Sequence, residues 1–169
     1  MTLPSFVAVL RVPAAAAFPA ARAALLAAGA SGVLSWPELA AGPDLDDDVP
    51  AVLVDPAEFE SAETLAADLA VVLQALALHT AARPTAVIAT TRPVIDTLKL
   101  VDAAGRLTGT AERDEHRFVG TPIAASLRLL RSVAQARPGP SGAVSPRPVE
   151  VLTALVDRGA TVWSSSLQP

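Results

Sequence analysis

The chain has 169 residues, of which 51% are hydrophobic and 18% charged, and it carries a formal net charge of −4 with no cysteine. That is one domain's length with ample material for a core, which excludes a disordered polypeptide, and the acidic balance excludes a general nucleic-acid binder, which needs a basic face against phosphates. Without cysteine there is no disulfide, no thiolate metal site and no thiol catalysis.

Phe6-Val7-Ala8-Val9-Leu10 is a short continuous apolar run, the mark of a strand buried on both faces. Residues 19–29 read as a helix, with Pro19 in the first turn, alanine and leucine inside and Gly29 at the end. Val33-Leu34 is a second short strand. The loop 42–50, with Asp44, Asp46, Asp47 and Asp48, holds no regular structure, and 51–54 is a third strand. Residues 61–79 form the clearest helix: Ser61 is its N-cap, and Leu65, Leu69, Val72, Leu73 and Leu76 make one stripe. The apolar run 69–78 within it is about half of the ~20 residues a spanning segment needs. No basic leader precedes Phe6, so the expected location is the cytoplasm, with no membrane partner.

Beyond residue 84 the pattern changes. Residues 85–91 are β-branched and apolar, 94–101 alternate in part, and Asp102-Ala103-Ala104-Gly105-Arg106 is a turn before Leu107-Thr108-Gly109-Thr110, which together predict a hairpin. A strand at 117–119 and helices at 123–136 and 148–158 follow, the helices separated by a Pro/Gly-rich linker over 137–146. Alternating strands and helices predict an α/β fold, a mainly parallel sheet flanked by helices in a single domain over 1–169.

Few residues in this pattern point to chemistry. Asp44, Asp46 and Asp48 have the spacing of a calcium loop, but its glycine and bidentate glutamate positions hold Val49 and Asp55. His79 and His116 have no metal-ligand spacing, so no metal site is expected, and no Gly-x-Ser-x-Gly elbow exists. The turn after the first strand, Val12-Pro13-Ala14-Ala15-Ala16-Ala17-Phe18-Pro19, is rich in methyl groups where a triphosphate cradle needs glycine. The stretch 94–122 is polar for so hydrophobic a chain, and on composition alone it is a solvated hairpin.

In that stretch Val94-Ile95-Asp96-Thr97-Leu98-Lys99-Leu100-Val101-Asp102, Gly105-Arg106-Leu107-Thr108-Gly109-Thr110, Glu112-Arg113 and Thr121-Pro122 follow in order. With the tail from Val151 to Val162, they span roughly 70 positions. This series resembles the 2-C-methyl-D-erythritol 4-phosphate cytidylyltransferases, which carry an Asp-Thr-x-Lys strand, a hairpin, an Asp-Arg pair, Thr-Pro-Gln and a later Gly-Ala-x-Val/Ile-Thr-Asp stretch. The resemblance implies a Rossmann-like nucleotidyltransferase fold. It implies a reaction of CTP with methylerythritol phosphate, with Mg²⁺ and loss of pyrophosphate, in non-mevalonate isoprenoid synthesis. It makes the segment 94–121 an arm clasping a second subunit in a homodimer. Thr97 and Thr161 would contact the methylerythritol phosphate, and Arg113 would reach it from the partner's arm.

The chain departs from the family where the nucleotide should lie. The family's loop glycines fall on Ala16 and Phe18, its loop lysine has no counterpart, and its His-Asp-Ala-Ala-Arg-Pro stretch is replaced by Asp55-Pro56-Ala57-Glu58-Phe59-Glu60. Lys99 is the chain's single lysine, and it matches the arm. The reading is a shortened, degenerate homologue with weak or no transferase activity and no assignable catalytic residue, in which residues 12–22 could form a remodelled pocket. The alternative is a non-catalytic dimeric interaction or regulatory protein on the same scaffold.

Overall fold

A computed structural model of the chain describes residues 5–11, 18–42, 44–59, 61–136 and 146–166. In chain order these form β1 (Phe6–Leu10), α1 (Phe18–Ala27), β2 (Ala30–Ser35), α2 (Trp36–Ala40), β3 (Pro50–Val54), α3 (Ala62–Thr80) and β4 (Ala86–Pro93). There follow β5 (Leu98–Val101), β6 (Leu107–Ala111), β7 (Arg117–Ser126), α4 (Leu127–Ala136), α5 (Pro148–Val156) and β8 (Thr161–Ser166).

Six strands make one sheet in the order β2-β1-β3-β7-β4-β8. β1 runs parallel to β2 and β3, β4 runs parallel to β8, and β7 lies antiparallel between β3 and β4. The sheet is therefore mixed but mostly parallel. Successive residues of its strands enter opposite layers. Val7, Val9, Ala51, Leu53, Ile123 and Ala125 face α2, α4 and α5, whereas Phe6, Ala8, Leu10, Val52, Val54 and Ala124 face α1 and α3. Both faces are covered, which is why these strands read as unbroken apolar runs.

Local chemistry sets the helix ends. The Ser61 side chain accepts from the Thr64 N–H at 3.1 Å, capping α3 as the sequence predicts. Gly29 closes α1 at φ +98°, a conformation that costs a side chain dearly. α3, at 19 residues and a mean hydropathy of 1.3, is long and apolar enough to cross a membrane. Its stripe from Leu65 to Leu76 is buried against the sheet instead.

Three expectations are corrected. Residue 123 does not begin a helix: Ile123, Ala124 and Ala125 are strand residues of β7, all three paired with β3 and the first two also with β4, and α4 starts at Leu127. Full burial between two strands outweighs the helix propensity of alanine there. Residues 94–97 are not strand, because pairing with β6 begins only at Leu98, while Val94 turns into the core. The sequence reading also lacks α2, whose signature is a capping box: the Glu38 carboxylate accepts from the Ser35 N–H at 2.6 Å and Ser35 Oγ caps the Glu38 N–H. Residues 137–145 of the predicted linker 137–146 and residues 12–17 of the turn 12–19 lie outside the described residues.

β5 and β6 form a separate two-stranded antiparallel sheet. Asp102 builds its turn, with Oδ1 accepting from the N–H groups of Ala104 and Arg106, each at 2.9 Å, and Oδ2 accepting from Arg106 Nε at 2.8 Å. The Arg106 N–H, then the Arg106 guanidinium, hold the Asp102 carboxyl below its ordinary value.

Candidate functional site

The parallel strands β1, β3, β4 and β8 end at one edge of the sheet, and β7, running the other way, begins there. Strand ends of this kind are where open α/β sheets present polar groups to ligands. All three buried polar residues among those described, Thr90, Thr91 and Thr121, lie at this edge.

Arg11 follows β1 and Asp55 follows β3. The Arg11 N–H donates to the Val54 carbonyl at 2.8 Å, extending the ladder by one residue and bringing the two side chains together. Arg11 Nη1 pairs with Asp55 Oδ2, and Arg11 Nε donates to the Pro146 carbonyl at 2.9 Å. Asp55 Oδ1 accepts from the Ala57 N–H at 3.1 Å, opening the 3-10 turn Pro56–Glu58. The Asp55 N–H in turn donates to Thr121 Oγ1 at 3.0 Å. Thr121 gives its N–H, at 2.7 Å, and its hydroxyl, at 3.2 Å, to Glu58 Oε2. A Cβ on Gly120 would sit 2.8 Å from that oxygen, so glycine is what lets Glu58 reach the strand. Behind this chain Thr90 Oγ1 donates to the Pro122 carbonyl at 2.7 Å, and Thr91 and Ser164 share a hydroxyl bond of 2.7 Å. On α3 nearby, burial raises the Asp68 carboxyl above its ordinary value, opposed by the positive charge of Arg92.

A cleft of about 360 Å³ opens beside Asp55 between α1 and α3, lined by Ala20, Ala21, Ala24, Val54, Phe59 and Leu65 among others. Its wall is mostly methyl and phenyl. Of residues 12–22, Ala20 and Ala21 line it. A larger cavity of about 720 Å³ lies at the opposite edge, where Pro50, Thr85 and Ser126 meet α3 and α4.

The residues singled out in the sequence lie elsewhere. Thr97 is exposed between β4 and β5. Arg113 opens the 3-10 turn Arg113–Glu115 and donates from Nη1 to the Ile95 carbonyl at 3.2 Å, so Arg113 and the approach to Thr97 meet at the base of the hairpin. Thr161 does not join them or Asp55. It opens β8 opposite Ala86, at the other edge of the sheet. Counting from Gly159-Ala160 places Trp163 and Ser164 at the Thr-Asp of the family's stretch, with Thr161 at its variable position. Trp163 stacks on His79 with ring centroids 4.1 Å apart. Lys99 Nζ donates to Thr110 Oγ1 at 3.1 Å within the hairpin. The aspartate loop is drawn onto α4, Asp47 by Arg131 and Asp48 by Arg128. Asp55, Glu58 and Thr121 act together although the sequence gives them no common role; a charged residue directly after an apolar strand run marks Arg11 and Asp55 one by one, but not Glu58 or Thr121.

No family model matches the chain. A stretch of 47 residues is 49% identical to the 2-C-methyl-D-erythritol 4-phosphate cytidylyltransferase of Rhodococcus opacus, covering 28% of this chain and 21% of that protein. The solved 2-C-methyl-D-erythritol 4-phosphate cytidylyltransferase of Thermus thermophilus superposes with a TM-score of 0.57 at 19% identity, over 99% of this chain and 90% of that one. The 4-diphosphocytidyl-2C-methyl-D-erythritol synthase of Anaerococcus prevotii gives a TM-score of 0.61 at 12% identity, over 99% and 90%. The chain thus resembles these cytidylyltransferases in a short stretch of sequence and shares their fold along almost its whole length.

The Mg²⁺ implied by the resemblance does not fit the strand-end residues. Mg²⁺ needs near-octahedral oxygen ligands at roughly 2.0–2.1 Å. Asp55 has one oxygen on a guanidinium and the other on a backbone N–H, and Glu58 Oε2 is taken up by Thr121. No group of three His, Cys, Asp or Glu side chains converges among the described residues.

Proposed function

We propose that the chain is a cytidylyltransferase-like domain whose transferase activity is weak or lost, and which works as a dimer through the hairpin arm at about 94–121. The observation that carries this reading is the fate of the cations. Lys99, the single lysine, is in the hairpin and bonded to Thr110, and Arg11 at the strand ends is committed to Asp55. Transfer of a nucleotidyl group depends on positioning and on positive charge that stabilises the phosphates in the transition state. One such stabilising group is worth roughly 10²–10³ in rate. Of the described arginines at the strand ends, Arg11 is engaged by Asp55, and Arg92 near the end of β4 is exposed to solvent with Asp68 of α3 as its charged neighbour.

The hairpin supports the dimeric part. Ile95 and Leu107 are 76% and 71% exposed, and Leu100, Val101 and Phe118 are exposed with them. Apolar surface gathered on one projection is more than the scattered exposure of an ordinary surface. The same observation favours the second reading, an interaction or regulatory protein on this scaffold that pairs with itself or with another protein. A cytoplasmic location accompanies either reading, and cell fractionation checks it.

The test is a pyrophosphate-release assay with CTP, 2-C-methyl-D-erythritol 4-phosphate and Mg²⁺, run beside an active relative. The expected turnover is at least 10²-fold lower than the relative's, the loss of one such group. Comparable turnover that disappears in Thr97→Ala and Arg113→Ala overturns the degenerate reading and assigns those residues to substrate. Sedimentation at micromolar concentration tests the arm, with a dimer expected and a persistent monomer contradicting it.

A further inference from the structure

We propose that Arg11 is a built-in counter-ion of Asp55: its guanidinium stands where a divalent cation would meet that carboxylate, so the strand-end site carries its positive charge covalently and excludes the metal.

The position follows from the ladder. Arg11 and Asp55 are the first residues beyond two adjacent parallel strands, and the bond from the Arg11 N–H to the Val54 carbonyl fixes their relative height. Side chains leaving equivalent points of neighbouring strands meet at short range. Both side chains are largely shielded, 17% exposed for Arg11 and 14% for Asp55, so solvent and salt screen the pair little.

The guanidinium is held from more than one side. Nη1 meets Asp55 and Nε meets the Pro146 carbonyl, which enters from the segment leading into α5. The planar fork of arginine suits this double engagement, whereas an ammonium would supply a point charge without the second anchor. The carboxylate is equally fixed. Ala57 holds its other oxygen, and the Asp55 N–H is tied to Thr121, which Glu58 holds in turn. The bonds thus run unbroken from Glu58 through Thr121 and Asp55 to Arg11 and the Pro146 carbonyl. A divalent ion at Asp55 would have to displace the guanidinium while remaining within a few ångströms of its charge, and like charges in a shielded site repel strongly.

This inference does not rest on the transferase reading, and its test uses neither CTP nor methylerythritol phosphate. Mn²⁺ is titrated into the full chain and its free form is followed by electron paramagnetic resonance. The titration is made on the wild type, Asp55→Asn, Arg11→Met and the double variant Arg11→Met/Asp55→Asn. The wild type and Asp55→Asn are expected to titrate alike, Arg11→Met to bind Mn²⁺ at least tenfold more tightly, and the double variant to return to the wild-type curve. Arg11→Gln, which can still donate to the Pro146 carbonyl, replaces Arg11→Met if the latter does not fold, and Arg11→Lys keeps the charge and is expected to exclude Mn²⁺. Mn²⁺ binding by the wild type that Asp55→Asn removes overturns the proposal. So does a neutral Arg11 variant that folds but gains no affinity. Turnover in the pyrophosphate assay leaves these outcomes unchanged, so the two readings fail separately.

Discussion

The strand-end cluster and the hairpin contain the same kinds of residue, arginine, aspartate, glutamate and threonine, yet dispose of them in opposite ways. At the strand ends each carboxylate named above has an internal donor: Asp55 has Arg11 and Ala57, and Glu58 has Thr121. In the hairpin the polar groups bond locally, Asp102 to Arg106 and Lys99 to Thr110, while Ile95, Leu100, Val101 and Leu107 face outward without cover. A group that is already satisfied gains little from a ligand, because binding must first break what it has. Apolar surface in water gains from any partner that covers it. On the dimeric reading proposed above, the strand-end bonds serve the stability of the fold and the hairpin serves association.

If that contrast holds, damage at the strand ends is expensive. Asp55→Ala leaves the shielded Arg11 guanidinium without its carboxylate, which costs about 3 kcal/mol, the lower end for breaking a buried ion pair, since this one is slightly exposed. Chemical denaturation checks it, and a loss below about 1 kcal/mol would show the pair to behave as a surface salt bridge. Gly120→Ala comes next. Its added methyl would stand 2.8 Å from Glu58 Oε2, the end of a flexible side chain that can swing away, so the cost is that of its bond to Thr121, about 1 kcal/mol. In a Glu58→Ala background Gly120→Ala should then cost nothing further, because the atom being struck is gone.

How much of this contrast could be read beforehand depends on sequence separation. β1, β3 and α3 are legible because their signals are local: apolar runs, and a stripe at helical spacing behind a serine cap. The hairpin is legible for the same reason, its turn set by Asp102, Gly105 and Arg106 within five positions. The strand-end cluster joins residues 44, 63 and 66 positions apart, and nothing local in Arg11 or Glu58 announces the other members. β7 was half legible. Its first residues read as strand, but Ile123-Ala124-Ala125 reads as helix until β3 and β4 are known to flank it. Thr161 opens β8, while counting from Gly159-Ala160 sets the Thr-Asp positions of the family's stretch on Trp163 and Ser164, near the middle of that strand.

A gentler perturbation tests the electrostatics around the strand ends. Burial raises the folded-state value of Asp68 above that of an unfolded aspartate, with Arg92 opposing the shift. The folded state therefore binds that proton more tightly, and Asp68 lowers stability as pH rises through its folded-state value. Asp68→Asn should be more stable than the wild type at neutral pH, by less than either loss above. The difference should vanish below the ordinary aspartate value, where both states carry the proton. Thermal melts across pH 3 to 7, on the order of the range spanning ordinary carboxylate titration, decide it. A gain at low pH that disappears at neutrality would reverse the sign and assign control to Arg92.

The smallest effect on folding is expected from the hairpin, where Leu107→Asp replaces a side chain that is 71% exposed and opposite no core residue. An isolated surface change of this kind stays within about 0.5 kcal/mol. Its effect on association should be far larger, because a charge at the middle of an apolar contact must be desolvated for the contact to form. The two effects separate by concentration. In dilute solution, where the chain is monomeric, the variant and the wild type should melt together. At micromolar concentration and above, the wild type should gain stability from assembly while the variant does not, since binding only the folded form stabilises by mass action. Sedimentation on the same samples reads the association directly. Melting curves that coincide at every concentration, with a monomer throughout, would mean that the exposed leucines and isoleucine of the hairpin cover no second copy, and the contrast between the two regions would then rest on the strand ends alone.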